Sequence, residues 1–426
     1  MSDKRGININ GNLPEVFRRI HYHLYANSNI LRSERLGIEM VRILYCKIFD
    51  EMNNGTDFMI KNGENVEQVG YRIRELFSKV VLNYPDVFSI DESIGLDNKS
   101  IYFVVETLQY YFLNKTPRDV IAEAFQAFWG HGLRGEKGQF FTPRNVVKMC
   151  VDVLAPKPGE KIIDPACGSG GFLVEIYSSL GIKNYLRIFG IDKEPDLVKI
   201  SKAYMAMIGD GHANIFNLDS LYPESWPQET KKILCDDSFD VVLTNPPFGA
   251  KIFIDDKKIL KNFELGYKWL SNENGWYRNK DLQKQVPQIL FIERCIQLLK
   301  QNGRMAIVLP DGLFGNSSDR YVWEYIKSKT QIIGIVSLPP EAFLPSTHTK
   351  TSVLFLKKIT GKMKDYPIFM AIAKKIGHDK NGKLIYKMTN DGKPILDQNG
   401  DLLVDDDLPE ITENFLVWLR SNNILI

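Results

Sequence analysis

The sequence predicts an α/β protein in which a doubly wound, mostly parallel sheet follows a helical N-terminal domain. Three observations carry this. From Lys161 onward, short apolar runs alternate with stretches of helical periodicity, the pattern of a sheet wrapped by helices on both faces. The runs are apolar on both sides, as in FDVVLT (239–244), which marks strands covered above and below. Residues 1–130 instead carry helical spacing, with Leu36, Met40, Leu44, Ile48 and Met52 recurring on one face.

The elements follow in order. Thr116-Pro117-Arg118-Asp119 reads as a helix start, a cap followed by proline in the first turn, for a helix that stops at Gly130. The glycine-rich, charged stretch HGLRGEKGQFFTP (131–143) is the junction to a second domain. KIID is a strand, GFLVEIYSSL a helix, RIFGID a strand, PDLVKISKAYMAMIG a helix and NIFNLD a strand. Then come FDVVLT, the helix PQILFIERCIQLLK closed by Gln301-Asn302-Gly303, and the strand RMAIVLP. A helix near 319–329 precedes the strands IIGIVSLP and TSVLFLKKI, which only a loop separates, so the last strand is expected to be antiparallel. Beyond Gly361, the dipeptides Asn381-Gly382, Asp391-Gly392 and Asn399-Gly400 predict a β-meander, followed by the acidic DDDLPE and a closing amphipathic helix. Domains of 1–135, 136–360 and 361–426 are expected, the middle one Rossmann-like.

Bulk numbers narrow the function. A chain of 426 residues exceeds one ordinary core. With 54 basic and 52 acidic residues there is no overall polyanion bias, so any nucleic-acid surface is a local patch or comes from a partner. The start, MSDKRGININ, has no apolar leader, and no later run has the length of a membrane span. Cys46, Cys150, Cys167, Cys235 and Cys295 form no C-x-x-C pair, and the six histidines no ligand spacing. The expectation is a cytoplasmic protein with reduced cysteines and no bound metal.

The chemistry gathers at strand ends. In IIDPACGSGGF (162–172) a strand ends at Asp164 and a glycine-rich turn opens a helix, so backbone can approach a ligand closely. No G-x-x-x-x-G-K-[ST] occurs, which excludes a phosphate loop. Asp192 ends the next strand, suited to ribose hydroxyls, and Asp219 the one after, suited to an adenine amine. One such Asp is usually a helix cap or a solvated loop residue. Three beside a glycine-rich turn outline a site for an adenosine that bears no phosphate.

FDVVLT runs straight into Asn245-Pro246-Pro247-Phe248. Two prolines cannot continue a ladder, so the strand stops at a stiff corner on the same rim. The Asn245 side-chain carbonyl and the Pro246 backbone carbonyl can both accept from an exocyclic base amine, turning its lone pair toward an electrophile. Phe248 would stack on the extracted base. Most N-P-P triplets are turns only; here position and neighbours favour the chemical reading. The stretch 250–287 is basic and interleaved with Phe253, Phe263, Tyr267, Trp269, Trp276 and Tyr277. It reads equally as a surface loop with a satellite cluster or as a DNA-contacting loop.

DPACGSGG, GQFFTP and NPPF together resemble the N6-adenine DNA methyltransferases, and more narrowly the modification subunits of type I restriction–modification systems. GRMAIVLPDGLF, GIVSLPPEAF and KTSVLFLKK are similar to the same family. The resemblance covers residues 100–360 and implies S-adenosyl-L-methionine as cofactor. It implies that Gln139, Phe140, Thr142 and Pro143 pack around the methionine end, near Asp164, Ala166, Gly168 and Gly170. It puts Asp192 on the ribose, Asp219 on the adenine ring, and Asn245, Pro246, Pro247 and Phe248 on the target base. The segment EVFRRIHYHLYANSNILRSERLGIEMVRILYCKIFDEMNN departs from the usual start of such subunits. Double-stranded DNA is the expected partner, with a separate specificity subunit and a restriction subunit, because no large recognition segment, helicase motif or nuclease signature is evident.

Two other readings stand beside this one. RNA-base and protein-glutamine amine methyltransferases share the N-P-P-[YF] corner, and a non-catalytic scaffold could keep the fold. Cytosine C5 chemistry needs a nucleophilic cysteine, normally in a Pro-Cys pair, and no such dipeptide occurs. Cys167 reads as a small packing residue.

Overall fold

The computed structural model describes residues 13–30, 33–116, 120–121, 124, 128, 142–180, 187–208, 214–249, 252–273, 275–344, 347–361, 363, 365–380, 383–397, 400 and 402–424. The helix expected at 117–130 lies largely outside them.

Among the described residues the chain begins with the helices α1 (Leu13–Asn27), α2 (Ser33–Met52), α3 (Val66–Asn83) and α4 (Asn98–Leu108). A reciprocal capping box starts α3, where Gln68 N–H donates to Asn65 Oδ1 at 3.0 Å and Asn65 N–H to Gln68 Oε1 at 2.9 Å. Asp97 caps α4 by accepting from Ser100 N–H at 2.9 Å. The predicted stripe of α2 is buried at Leu36, Met40, Leu44 and Ile48, whereas Met52 in the last turn overshoots the packed face and is exposed.

The sheet-bearing part runs α5 (Arg144–Leu154), β1 (Ile162–Asp164), α6 (Gly171–Leu180), β2 (Ile188–Asp192), α7 (Pro195–Met207), β3 (Asn214–Asn217) and β4 (Phe239–Thr244). A hairpin, β5 (Tyr267–Asn272) with β6 (Gly275–Leu282), interrupts before α8 (Pro287–Leu298), β7 (Leu299–Pro310), α9 (Arg320–Lys329), β8 (Thr330–Ser337) and β9 (Thr351–Lys358). The segment read as a loop is therefore in part a two-stranded ribbon. β10 (Phe369–Ile372) and α10 (Leu408–Ser421) close the chain.

Eight strands form one sheet in the order β10-β8-β9-β7-β4-β1-β2-β3. β9 is antiparallel to both β7 and β8, as expected of a strand reached by a loop; the remaining pairs are parallel. Chain order reverses between β1 and β4, which opens a crevice at their carboxyl ends. Adjacent β4 residues feed opposite cores: Val241 and Leu243 join the cluster that continues into the N-terminal helices, Phe239 and Val242 the one beneath α8 and α9. β7 pairs early, Leu299 with Phe239, and then loops out so that Arg304 meets Val241. Helix α8 thus ends at Leu298, ahead of the Gln301-Asn302-Gly303 stop, and Asn302 takes a left-handed conformation inside the loop-out.

The helical part is tied to α7 by charge as well as packing. Lys202 donates to Asp86 at 2.8 Å, and Glu92 pairs with both Lys199 and Arg42. At the far edge β10 extends the sheet, and Phe415 of α10 stacks on Phe369 at 4.2 Å. Gly334 on β8 makes room for Phe415: a Cβ there would meet its Cζ at 2.5 Å.

Residues 376–406 differ from a flat meander. Gly377 N–H donates to the Asp405 carbonyl, Asp405 N–H to Ile385, and Ile385 N–H back to Gly377, at 3.1, 2.8 and 2.9 Å. Lys387, Leu403 and Ile395 repeat this ring one tier further out, so three passes close into a prong. Gly392 and Gly400 take left-handed conformations at two of the predicted turns; Asn381, Gly382 and Asn399 lie outside the described residues. No helix among the described residues is long and apolar enough to cross a membrane.

Candidate active site

The four strand ends singled out in the sequence meet at one cavity of 270 Å³, whose walls include Thr142, Asp164, Ala166, Gly168, Asp192, Asp219, Asn245, Pro246 and Pro247. It sits in the crevice where the strand order reverses.

The glycine-rich loop is closed by its own hydrogen bonds. Asp164, almost fully buried, accepts from Ala166 N–H at 3.0 Å, and Cys167 N–H reaches the Ile191 carbonyl at 2.9 Å. Asp192 accepts from Gly168 N–H at 2.9 Å and from Glu194 N–H at 2.9 Å, so its carboxylate ties the loop to the start of α7. Asp219 accepts from Leu221 N–H at 2.8 Å, while its backbone carbonyl holds the Trp226 indole at 2.8 Å. Burial raises the Asp192 carboxyl above its ordinary range and pushes Asp164 up to about 7. Two acids of the cavity wall, Asp164 and Asp192, thus ionise reluctantly.

Gly168 has a left-handed backbone, and open space stands where a Cβ would project. Gly170 is not in the cavity wall. Its backbone is also left-handed, and a Cβ there would sit 2.4 Å from Ser201 Oγ, so this glycine lets the loop close on α7. Pro143 likewise stands outside the wall, at the start of α5. Gln139 and Phe140 lie outside the described residues. Burial beside Asp192 and Asp164 holds the Cys167 thiol well above its ordinary range, as suits a packing residue.

At the β4 corner the Asn245 amide donates to Thr142 Oγ1 at 3.0 Å, while its Oδ1 is buried with no hydrogen-bond partner. Buried carbonyl oxygens are rarely left so. Phe248 departs from the sequence reading: only 2 % exposed, it packs edge-on to Phe343 at 6.2 Å and does not line the cavity. Phe343 arrives from beyond β8, a partner that spacing around the corner does not reveal.

Sequence reasoning missed an apolar wall made by Leu221, Ile252, Phe253, Ile254, Pro287 and Phe291. Phe253 is 48 % exposed, with the Lys284 ammonium 4.8 Å from its ring centre. Phe253 belonged to the aromatic run noted at 250–287, a stretch that also holds Ile252, Ile254 and Pro287, and Phe291 to the helix PQILFIERCIQLLK; none of them was singled out as cavity wall. The cavity thus combines apolar side chains that suit a flat ring with carboxylates and an unsatisfied amide oxygen.

Comparison with known proteins adds family and fold. A family model described as N-6 DNA Methylase matches residues 118–398, more than half of the chain. The EcoEI type I restriction enzyme methylase subunit of Escherichia coli is 31% identical over 242 residues, covering 53% of this chain and 43% of that protein. The chain spans about half the length of the curated relatives it matches. Among solved structures, a chain from a type I R-M system assembly superposes with a TM-score of 0.61 at 19% identity, covering 97% of this chain and 83% of that one. The methyltransferase subunit of a type I restriction-modification system from Streptococcus thermophilus gives 0.55 at 15% identity, covering 97% and 93%.

Proposed function

The chain belongs to the N-6 DNA methylase family, and from that premise we propose that it methylates N6 of an everted adenine in double-stranded DNA, using S-adenosyl-L-methionine, as the modification subunit of a restriction–modification system. The carrying observation is the buried, unpartnered Oδ1 of Asn245 at the rim of the cavity. Leaving such an oxygen unsatisfied costs about 1–3 kcal/mol, which an incoming amine N–H would recover.

The residues present fit the cofactor. Open space beside Gly168 admits a ligand against the backbone, and three carboxylates suit a cationic, hydroxyl-bearing molecule. When bound, S-adenosyl-L-methionine supplies an electrophilic methyl group on a sulfonium. Asp192 would accept from the ribose hydroxyls, Asp219 from the adenine amine, and the apolar wall around Leu221, Phe253 and Phe291 would receive the ring. Thr142 fixes the Asn245 amide by taking its N–H, so the carbonyl oxygen keeps one direction. Asn245 and the Pro246 carbonyl then hold the two hydrogens of the substrate amine and aim its lone pair. Their rigidity means little reorganisation accompanies the reaction. Stacking by Phe248 requires it to leave Phe343, so entry of the base and a shift of Phe248 go together. Sequence recognition comes from a separate specificity subunit, cleavage from a restriction subunit, and the protein works in the cytoplasm.

The test is transfer of labelled methyl to DNA by the protein purified with its accompanying chains. The wild type labels DNA. Asn245→Ala lowers turnover by about 10²–10³-fold, with cofactor affinity within about twofold. Retention of full turnover by Asn245→Ala would remove the corner from the reaction.

A further inference from the structure

The ribbon β5–β6 is a separate sheet that stands off the main one. Its inner face rests on α9, with the Trp269 and Trp276 rings 6.0 and 6.1 Å from Tyr321. Leu270 and Tyr277 are paired across the strands on the opposite face, Tyr277 being 46% exposed. Its root lies at the catalytic cavity. Ile254, part of the cavity wall, exchanges two backbone hydrogen bonds with Gln285 at 2.8 and 2.9 Å. The buried Gln285 amide donates to the Leu265 carbonyl at 3.0 Å and to the Tyr321 hydroxyl at 2.7 Å, and the buried Glu293 accepts from Glu264 N–H at 2.7 Å and Leu265 N–H at 2.8 Å. The ribbon is therefore a braced projection from the mouth of the site.

Its charges are unevenly engaged. Lys268, Arg278, Lys280 and Lys284 are exposed, and none has an acidic partner among the described residues; Arg278 lies over the Tyr267 ring at 4.7 Å. Of the neighbouring acids Glu264 pairs with Lys329, while Asp255, Asp256, Glu273 and Asp281 form no ion pair with these four cations among the described residues. In a chain with a formal charge of only +2, this is a local concentration of unpaired cations. A two-stranded ribbon fits the major groove of B-DNA, and strands of this length reach about 20–26 Å at ~3.3 Å per residue.

We propose that the β5–β6 ribbon lies against the DNA duplex flanking the everted adenine, with Lys268, Arg278 and Lys280 on backbone phosphates. The inference rests on the DNA-methylation reading and adds to it a second DNA-binding element, sequence-independent and supplied by this chain itself.

The experiment measures DNA binding against salt for the protein with its accompanying chains, wild type and the triple variant Lys268→Gln, Arg278→Gln, Lys280→Gln. The variant is expected to bind target and non-target duplexes more weakly by a similar factor. Its log–log salt slope should flatten by about 1 for each phosphate no longer neutralised, and its KM for DNA should rise while cofactor affinity stays within about twofold. An unchanged slope with a methylating wild type overturns the proposal and leaves the methylation reading intact. Dissociation of the accompanying chains from the variant, with the slope of the remaining complex unchanged, makes the ribbon a protein interface and also overturns it. A wild type that binds DNA without methylating it, while the variant still flattens the slope, would sink the catalytic reading alone.

Discussion

The loop after β1 and the corner after β4 share one rim, yet they spend their polar atoms differently. In the loop, Asp164 and Asp192 accept backbone N–H groups at 2.9–3.0 Å, so the cradle holds its shape without a ligand. At the corner, the Asn245 amide is satisfied on its nitrogen side and left open at Oδ1. The loop's acceptors are taken up by its own backbone, whereas the corner keeps one acceptor free beside two prolines that cannot join the sheet, as the proposed grip on a substrate amine requires.

The difference can be broken first on the loop side. Asp192→Ala removes the one carboxylate that accepts two backbone N–H groups and is proposed to accept the ribose hydroxyls, and is expected to weaken cofactor binding by about 10–100-fold, read by calorimetry, at roughly 1.5–3 kcal/mol for a charged hydrogen bond. Its turnover at saturating cofactor should fall far less. A variant that lost turnover but bound cofactor normally would erase the contrast between the two halves.

Next comes pH. Burial pushes Asp164 up to about 7, well above the unfolded value near 4. Without ligand, its contribution to stability is full below about pH 4 and is lost as pH rises through 7, because the unfolded chain gives up the proton more readily. A cationic cofactor favours the carboxylate, so affinity should rise by about tenfold as pH climbs through 7, with proton release on binding. Asp164→Asn should flatten that profile; an unflattened profile would assign the titration elsewhere. The smallest effect is expected of Thr142→Val, which frees the Asn245 amide. Losing one neutral hydrogen bond of about 0.5–1.5 kcal/mol should slow turnover by about two- to tenfold, while valine's matching shape in the cavity wall keeps the change in cofactor affinity smaller than that.

Much of this rim was legible because strand ends are local. FDVVLT followed by two prolines fixes both the strand and its stop, and β4 is observed at Phe239–Thr244. Asp164, Asp192 and Asp219 likewise follow from chain order and the reversal between β1 and β4. What was illegible depends on distant pairing. Phe248 packs against Phe343, and Gly170 has no room for a Cβ because Ser201 fills the space beside it. β10 is short and forms by adding to β8, and the prong after it closes through rings of backbone bonds that a dipeptide pattern cannot distinguish from a flat meander. The ribbon was visible only as a basic, aromatic run, since its strands have exposed faces and no strict alternation.

The most direct test of the central claim is the identity of the methylated atom. DNA labelled by the protein with its accompanying chains is digested, and the modified nucleoside is identified by mass spectrometry. The account predicts label at the exocyclic N6 of adenine; label at C5 of cytosine, or in RNA or protein in place of DNA, would contradict it.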